Sequence, residues 1–303
     1  MATKHKSRKA SKKNTTALNK RRNHLRLNAA ERKVLVDAVL ALKNDVDSVL
    51  HPGQQNRYDD FVEVHKNAMT GPGMFHPMPH CTSLFFPWHR VVLRQFELAL
   101  QKAANDPTLS LPYWDWDMSG SSSPFTTDFL GGDGDAAQGG RVVIGSFAYS
   151  TGKFPIRLWD GPGGDPWLRR QFGEDASASL PSASDIAAGV AKTPYWPGPS
   201  CFLNVAEGAL HDPVHRWVGG NMGDATSPND PVFFLHHAHL DLLWERWKTQ
   251  HPALDPYLPT SGAPGYDLNS HLVFHAPGEP APWPGSWKVK QTFDPAGLGY
   301  MYE

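Results

Sequence analysis

His211 and His215 stand four residues apart in HDPVHRWVGG, and a histidine pair, His236-His237, follows in NDPVFFLHHAHLDLLW. That spacing puts two side chains on one helix face, a turn apart, so both rings can reach one ion. A third ring from His236 or His237 would complete a three-imidazole cup. A second cup is spelled by His65 and by His80 and His89 in HCTSLFFPWHRVVLRQFE. Neutral imidazole suits copper, zinc, iron or nickel. Two such cups in one domain require helices distant in sequence to face each other, and they point to a paired metal site that binds something between the ions.

The set resists the ordinary explanation of buried histidines. His5, His24, His51, His251, His271 and His275 sit in polar or loop sequence and read as structural. His76, in the Gly/Pro loop GPGMFHPMPH, is a spare ligand at best. His239 points away from any ion that His237 reaches, because two residues along a helix turn a side chain through more than half a circle. The six cup histidines instead lie in aromatic, weakly charged stretches: FVEVH, LFFPWHR, HRWVGG and DPVFFLHH. Apolar walls raise affinity and exclude bulk water. The scarcity of carboxylates argues against magnesium, calcium, manganese and the two-histidine, one-carboxylate iron site. Zinc with three histidines and an open position stays chemically open. A hydrolytic zinc pair would call for a bridging carboxylate, however, and none is evident, so copper is favoured.

Around the cups the chain reads as mainly helical. Apolar spacing in AAERKVLVDAVLALK (29–43), through Val34, Val36, Ala38, Val39 and Leu42, predicts an amphipathic helix. Residues 57–67 predict a second and 87–104 a third, with Pro87 at its start. Residues 202–217 predict a helix carrying His211 and His215, with Pro213 placing its true start near Asp212. Residues 232–249 predict the last. LPYWDWD (111–117) reads as extended. Residues 119–200 read as long loops with a short strand at Arg141–Ile144 and one helix near 184–192, and 252–303 as irregular. The expected architecture is a four-helix-bundle core holding the metal pair, wrapped by long loops with a few short strands.

With 303 residues, 40% hydrophobic and 19% charged, the chain belongs among globular proteins. No apolar run is long enough to span a bilayer, and the basic N-terminus lacks the apolar segment of a signal peptide. A cytoplasmic location, or export only with a partner, is expected. The net charge of −1 hides an asymmetry: residues 1–26 carry ten Lys/Arg and no acid, leaving 19 basic against 30 acidic residues elsewhere. Residues 1–19 read as a disordered basic tail and 20–303 as the catalytic domain; the tail is read as solubilising, and nucleic acid is not an expected partner. Cys81 and Cys201 are too few for a disulfide framework and read as ordinary thiols.

The two histidine segments resemble the copper motifs of the tyrosinase family of type 3, binuclear copper proteins. The first motif reads as His80, Phe85, Trp88-His89-Arg90 and Glu97, the second as Asp230-Pro231, Phe233, His236-His237 and Asp241. The likeness runs from about Arg21 to Tyr302. It implies two copper ions, the first held by His65, His80 and His89 and the second by His211, His215 and His237, with His236 behind them. It implies a phenol oxidase that ortho-hydroxylates monophenols and converts o-diphenols to o-quinones with O2, chemistry that feeds melanin. Phenols and O2 are the expected partners, with a copper-delivering helper protein as a further candidate. LPYWDWD resembles the segment after the first copper helix. Tyr300-x-Tyr302 resembles the family's core-terminating motif, with Arg21 as its partner, which implies a core that stops there without a lid domain. Met78 stands where some members have a thioether-forming cysteine, so no thioether is expected.

Several bacterial members have Asn after the first ligand of the second copper, and this chain has Asp212. The resemblance makes Glu207 and Asp212 the water- or proton-handling pair, although the stretch from Glu207 to His211 is shorter than in those members. Arg216, Ala225 and Phe233 are the expected substrate-pocket residues, with Arg216 equally open to pairing with a surface acid. The Asp leaves an o-diphenol or o-aminophenol oxidase with little hydroxylation as the alternative. An oxygen carrier is a more distant one, since small residues near Ala225 leave the entrance open.

Overall fold

The computed structural model describes residues 18–70, 77–119, 122–159, 164–259 and 264–303. The basic tail and His76 therefore fall outside the described residues, apart from the tail's last two positions. Helix α1 (Ala29–Asn44) starts at a capping box: the Asn28 side chain accepts from the Ala30 and Glu31 N–H groups, and Glu31 accepts from the Asn28 N–H. Its core face is Leu35, Val36, Ala38, Val39 and Leu42, whereas Val34, expected on that face, is exposed. One step along a helix turns a side chain by about 100°. Leu35 therefore takes the place assigned to Val34.

Helix α2 (Arg57–Thr70) carries His65, and α3 (Phe85–Ala104) carries His89. Helix α3 is apolar nearly all round in its first half because it packs between α1 and α7 (Val232–Gln250). It ends at Asn105, whose left-handed backbone lets its N–H cap the Gln101 and Lys102 carbonyls. Short pieces lie between: antiparallel β2 (Gly134–Asp135) and β3 (Arg141–Val142), then α4 (Ala183–Val190). The strand expected over Arg141–Ile144 is thus two residues long, and Ile144 is exposed.

The segment expected as one helix over 202–217 is broken. It runs as α5 (Phe202–Val205), a π-helical turn over Ala206–His211, and α6 (Asp212–Val218). The Asp212 N–H reaches back five residues to the Glu207 carbonyl. Pro213 explains the break: it has no N–H, and its ring would crowd the carbonyl four residues back in an unbroken α-helix. The wider turn relieves this and re-aims His211.

At the far end, β1 (Asn19–Arg21) pairs in parallel with β4 (Tyr300–Tyr302), in the register Asn19↔Tyr300 and Arg21↔Tyr302. Arg21 is fully buried and makes a two-pronged contact with Glu97 of α3, both N···O distances being 3.2 Å. Its guanidinium lies 3.7 Å from the Tyr300 ring centre. Both tyrosine hydroxyls donate to Asp241 of α7, at 2.6 and 2.7 Å, and Arg90 of α3 donates to the other oxygen of Asp241 at 2.6 Å. The two chain ends thus lock α3 to α7. Both cysteines are free thiols. Among the described residues no helix is long and apolar enough to cross a membrane.

Candidate metal centre

The fold brings the predicted rings together in two groups. His65, His80 and His89 form one, and His211, His215, His236 and His237 the other, with one ligating atom of each ring within 4.8 Å of the rest of its group. The groups abut, since the His89 and His237 rings stack at 4.4 Å. Neither group contains a carboxylate. His80 comes from the loop before α3, and the others come from α2, α3, the π turn, α6 and α7.

Partners outside the cluster decide where each ring keeps its proton. His65 Nδ1 lies 2.8 Å from the Ala225 carbonyl, His89 Nδ1 2.8 Å from the Phe85 carbonyl, and His215 Nδ1 2.8 Å from the Met222 carbonyl. His211 Nδ1 lies 2.7 Å from Asp212 Oδ1. A carbonyl or carboxylate only accepts, so these four rings carry the proton on Nδ1 and turn an Nε2 lone pair to the cluster. His236 is the reverse. The Trp116 indole N–H donates to its Nδ1 at 2.9 Å, so the neutral ring bears its proton on Nε2 and has no lone pair left for an ion.

The centre is electrically prepared for cations that are not yet protons. Burial, then the neighbouring imidazoles, hold the pKa values of His80, His89, His215, His236 and His237 well below the usual histidine value. These rings are neutral at pH 7, the form that ligates. His89 Nε2, His80 Nδ1 and His237 Nδ1 are buried without hydrogen-bond partners. Each orphaned nitrogen costs about 1–3 kcal/mol unless something takes its lone pair or proton. An all-imidazole donor set with unspent lone pairs fits two copper ions.

A cavity of about 520 Å³ opens over the rings. His65, His80, His211 and His215 form its floor, and Met69, Asp212, Arg216, Met222 and Ala225 are among its walls. Arg216 borders this cavity and also pairs with Asp175 at 3.2 Å. Phe233, expected at the pocket, and Glu207, expected to handle water or protons, do not line this cavity. Phe233 is fully buried beneath the rings, 4.1 Å from the His237 ring centre and 5.0 Å from that of His65, and does not border the cavity. Its helix position, four residues before His237, stacks it under that ring. Glu207 is also away from the cavity wall, its carboxylate accepting from the Cys81 N–H at 2.8 Å. The π turn over Ala206–His211 turns it toward the loop that carries His80 and Cys81. The carbonyls of Ala225 and Met222 and the indole of Trp116 carry no sequence signal of their roles, because only tertiary folding aims them.

Burial, reinforced by the Asp212 charge, raises the Glu207 carboxyl to about 8, with the Cys81 N–H pulling the other way. A carboxyl raised on folding binds more protons native than unfolded, so its penalty is absent below about 4.5 and grows as pH rises toward 8. Glu207→Gln is therefore expected to stabilise the protein by a few kcal/mol (order of magnitude) at pH 8 and by nothing at pH 4. Thermal unfolding at the two pH values checks this. An equal shift at both would remove the burial argument.

The family model "Common central domain of tyrosinase" matches residues 55–250. The chain is 40% identical over 265 residues to the tyrosinase of Streptomyces antibioticus, covering 83% of this chain and 91% of that protein. It is 34% identical over 320 residues to the grixazone synthase of Streptomyces griseus, covering 90% and 95%. Among solved structures it resembles a polyphenol oxidase from Thermothelomyces thermophila with a TM-score of 0.72 at 23% identity, covering 94% of this chain and 88% of that one, a likeness of fold.

Proposed function

This chain belongs to the tyrosinase family and is a dicopper phenol oxidase, and from that premise we propose that it ortho-hydroxylates monophenols and oxidises o-diphenols to o-quinones, using O2. The observation that carries this reading is the pair of abutting, carboxylate-free imidazole groups beneath a cavity wide enough for an aromatic ring. In this reading residues 20–303 are the catalytic domain. His65, His80 and His89 hold one copper and His211, His215 and His237 the other. The Trp116 hydrogen bond supports His237 over His236, whose only lone pair it uses.

The copper pair, when bound, supplies O2 binding and redox chemistry. The residues of the chain supply the geometry around it. The Ala225, Phe85 and Met222 carbonyls hold three rings in the ligating tautomer. Phe233 and Phe85 pack against the rings and keep water from below. Asp212 faces the cavity with its side chain 55% exposed while one oxygen orients His211. In this reading its other oxygen takes a proton from a phenol. Glu207, protonated at neutral pH, acts from behind as a hydrogen-bonded support. Small wall residues, Ala225 and Gly208, leave the entrance open, which an oxygen carrier would not need.

One observation favours oxidation of o-diphenols or o-aminophenols without hydroxylation. Asp212 already spends one oxygen on His211, and Glu207 is bonded to Cys81 away from the cavity, so removal of a phenol proton would fall to a carboxylate that also orients a ligand ring. Copper-loaded protein assayed in parallel with tyrosine, L-DOPA and o-aminophenol separates the readings. Turnover of all three is expected. Oxidation of the last two without turnover of tyrosine would overturn the hydroxylase reading. In the same assay Asp212→Ala should lower tyrosine turnover roughly a hundredfold and L-DOPA turnover far less. Equal losses would make Asp212 a support for His211 alone.

A further inference from the structure

On the far side of Trp116 from the metal centre lies a second, larger cavity of about 1050 Å³ that the proposed reaction does not use. The 115–118 segment, the start and one face of α4, and the last turns of α7 enclose it. Its apolar walls include Trp116, Leu180, Ile186 and Val190.

His239 reaches this cavity from α7. It is 1% exposed, and neither ring nitrogen has a hydrogen-bond partner. Tyr113 stacks on the ring at 5.6 Å and Trp116 meets it edge-on at 4.6 Å. A neutral imidazole offers one N–H and one lone pair, and neither is used by the protein here. Asp115 Oδ1 is a third buried atom without a partner, while Oδ2 accepts from Asn23. Groups of this kind are rarely left unsatisfied in a native protein without a water or ligand to meet them. The donors do not converge as ion ligands do, since His239 belongs to neither metal-competent group among the described residues.

The charges at the rim are unequal. Asp117 accepts from the Ser119 N–H and Asp115 from Asn23, neutral donors that delocalise but do not cancel their charge, whereas Arg246 is exposed and makes no ion pair among the described residues. An unspent guanidinium beside an apolar slot with a polar floor is suited to an amphipathic anion.

We propose that this cavity is a second binding site, for a small aromatic carboxylate bearing a phenolic hydroxyl. The ring lies between Trp116 and the apolar residues of α4, the carboxylate meets Arg246, and the hydroxyl end faces the floor that His239 and Asp115 form. The site does not depend on whether the metal centre hydroxylates monophenols.

The test is calorimetric titration of the copper-loaded enzyme with 4-hydroxybenzoate under argon, where no oxidation proceeds. One binding event is expected to weaken at least tenfold in Arg246→Gln and in Ile186→Trp, which fills the slot. Both variants should oxidise L-DOPA at the unaltered rate, which shows that they are folded. Benzoate, lacking the hydroxyl, and 4-hydroxybenzyl alcohol, lacking the carboxylate, should each bind that site at least tenfold more weakly. Binding that neither variant moves belongs to the dicopper cavity and overturns the proposal, as does the absence of binding.

Discussion

His237→Ala is expected to leave the protein with about one copper per chain and to lower oxidation of L-DOPA by at least a thousandfold. The ring is 1% exposed, stacks on His89 at 4.4 Å, and brings its Nε2 to 3.4 Å from that of His215, so it stands where the two histidine groups meet. Removing it deletes one of three donors to the second ion and opens a gap between the groups. Replacement by His236 is barred by the Trp116 indole, which occupies His236 Nδ1. The double change His237→Ala with Trp116→Phe frees that lone pair and should recover part of the second copper. Metal content after dialysis and initial rates check both results. A single variant that keeps two coppers and its activity would remove His237 from the ligand set.

Glu97→Ala is expected to cost about 3–5 kcal/mol of stability, because it strips a buried cation of its main partner. Glu97 is fully buried and accepts from Arg21 twice, from Arg94 at 2.8 Å and from the Leu111 N–H at 2.8 Å. The Arg21 charge, ahead of its other partners, holds the Glu97 carboxyl below its ordinary range against the opposing effect of burial. Without Glu97, the remaining carboxylate near Arg21 among the described residues is Asp241 at 3.6 Å, which already serves Arg90 and two tyrosine hydroxyls; the Tyr302 hydroxyl at 3.4 Å and the Tyr300 ring carry no charge to replace it. The melting temperature should fall by roughly 6–20 °C. Rates per bound copper at low temperature should stay near those of the parent protein, since no atom of the network touches the cavity. An unchanged melting temperature would show that the strand pair β1–β4 holds the chain ends without this network.

The histidine helices were readable because helical periodicity is local: His211 and His215 sit one turn apart on the same face whatever surrounds them. Arg90, Glu97 and Asp241, by contrast, entered only as letters of the family motifs. Their work, pinning α3 to α7 and to the chain ends, depends on Arg21, Tyr300 and Tyr302 arriving from the two ends of the described chain. The broken helix at 206–211 was half legible, in Pro213, but a π turn cannot be told from a kink without coordinates. Val34 and Leu35 exchanged places because a wide apolar stripe tolerates either phase.

Glu207 was expected to handle water or protons and Phe233 to belong to the pocket, and the structure puts Glu207 behind His80 and Phe233 against the ligand rings. Residue type and spacing by themselves pointed to two all-imidazole groups on a helical frame, since these follow from imidazole chemistry and the pitch of a helix, and left the choice between His236 and His237 to the family resemblance. Which lone pair each ring has to give was decided only by the tertiary structure. The Ala225 and Met222 carbonyls, the Asp212 carboxylate and the Trp116 indole set it, and folding alone brings most of them within 3 Å of their rings.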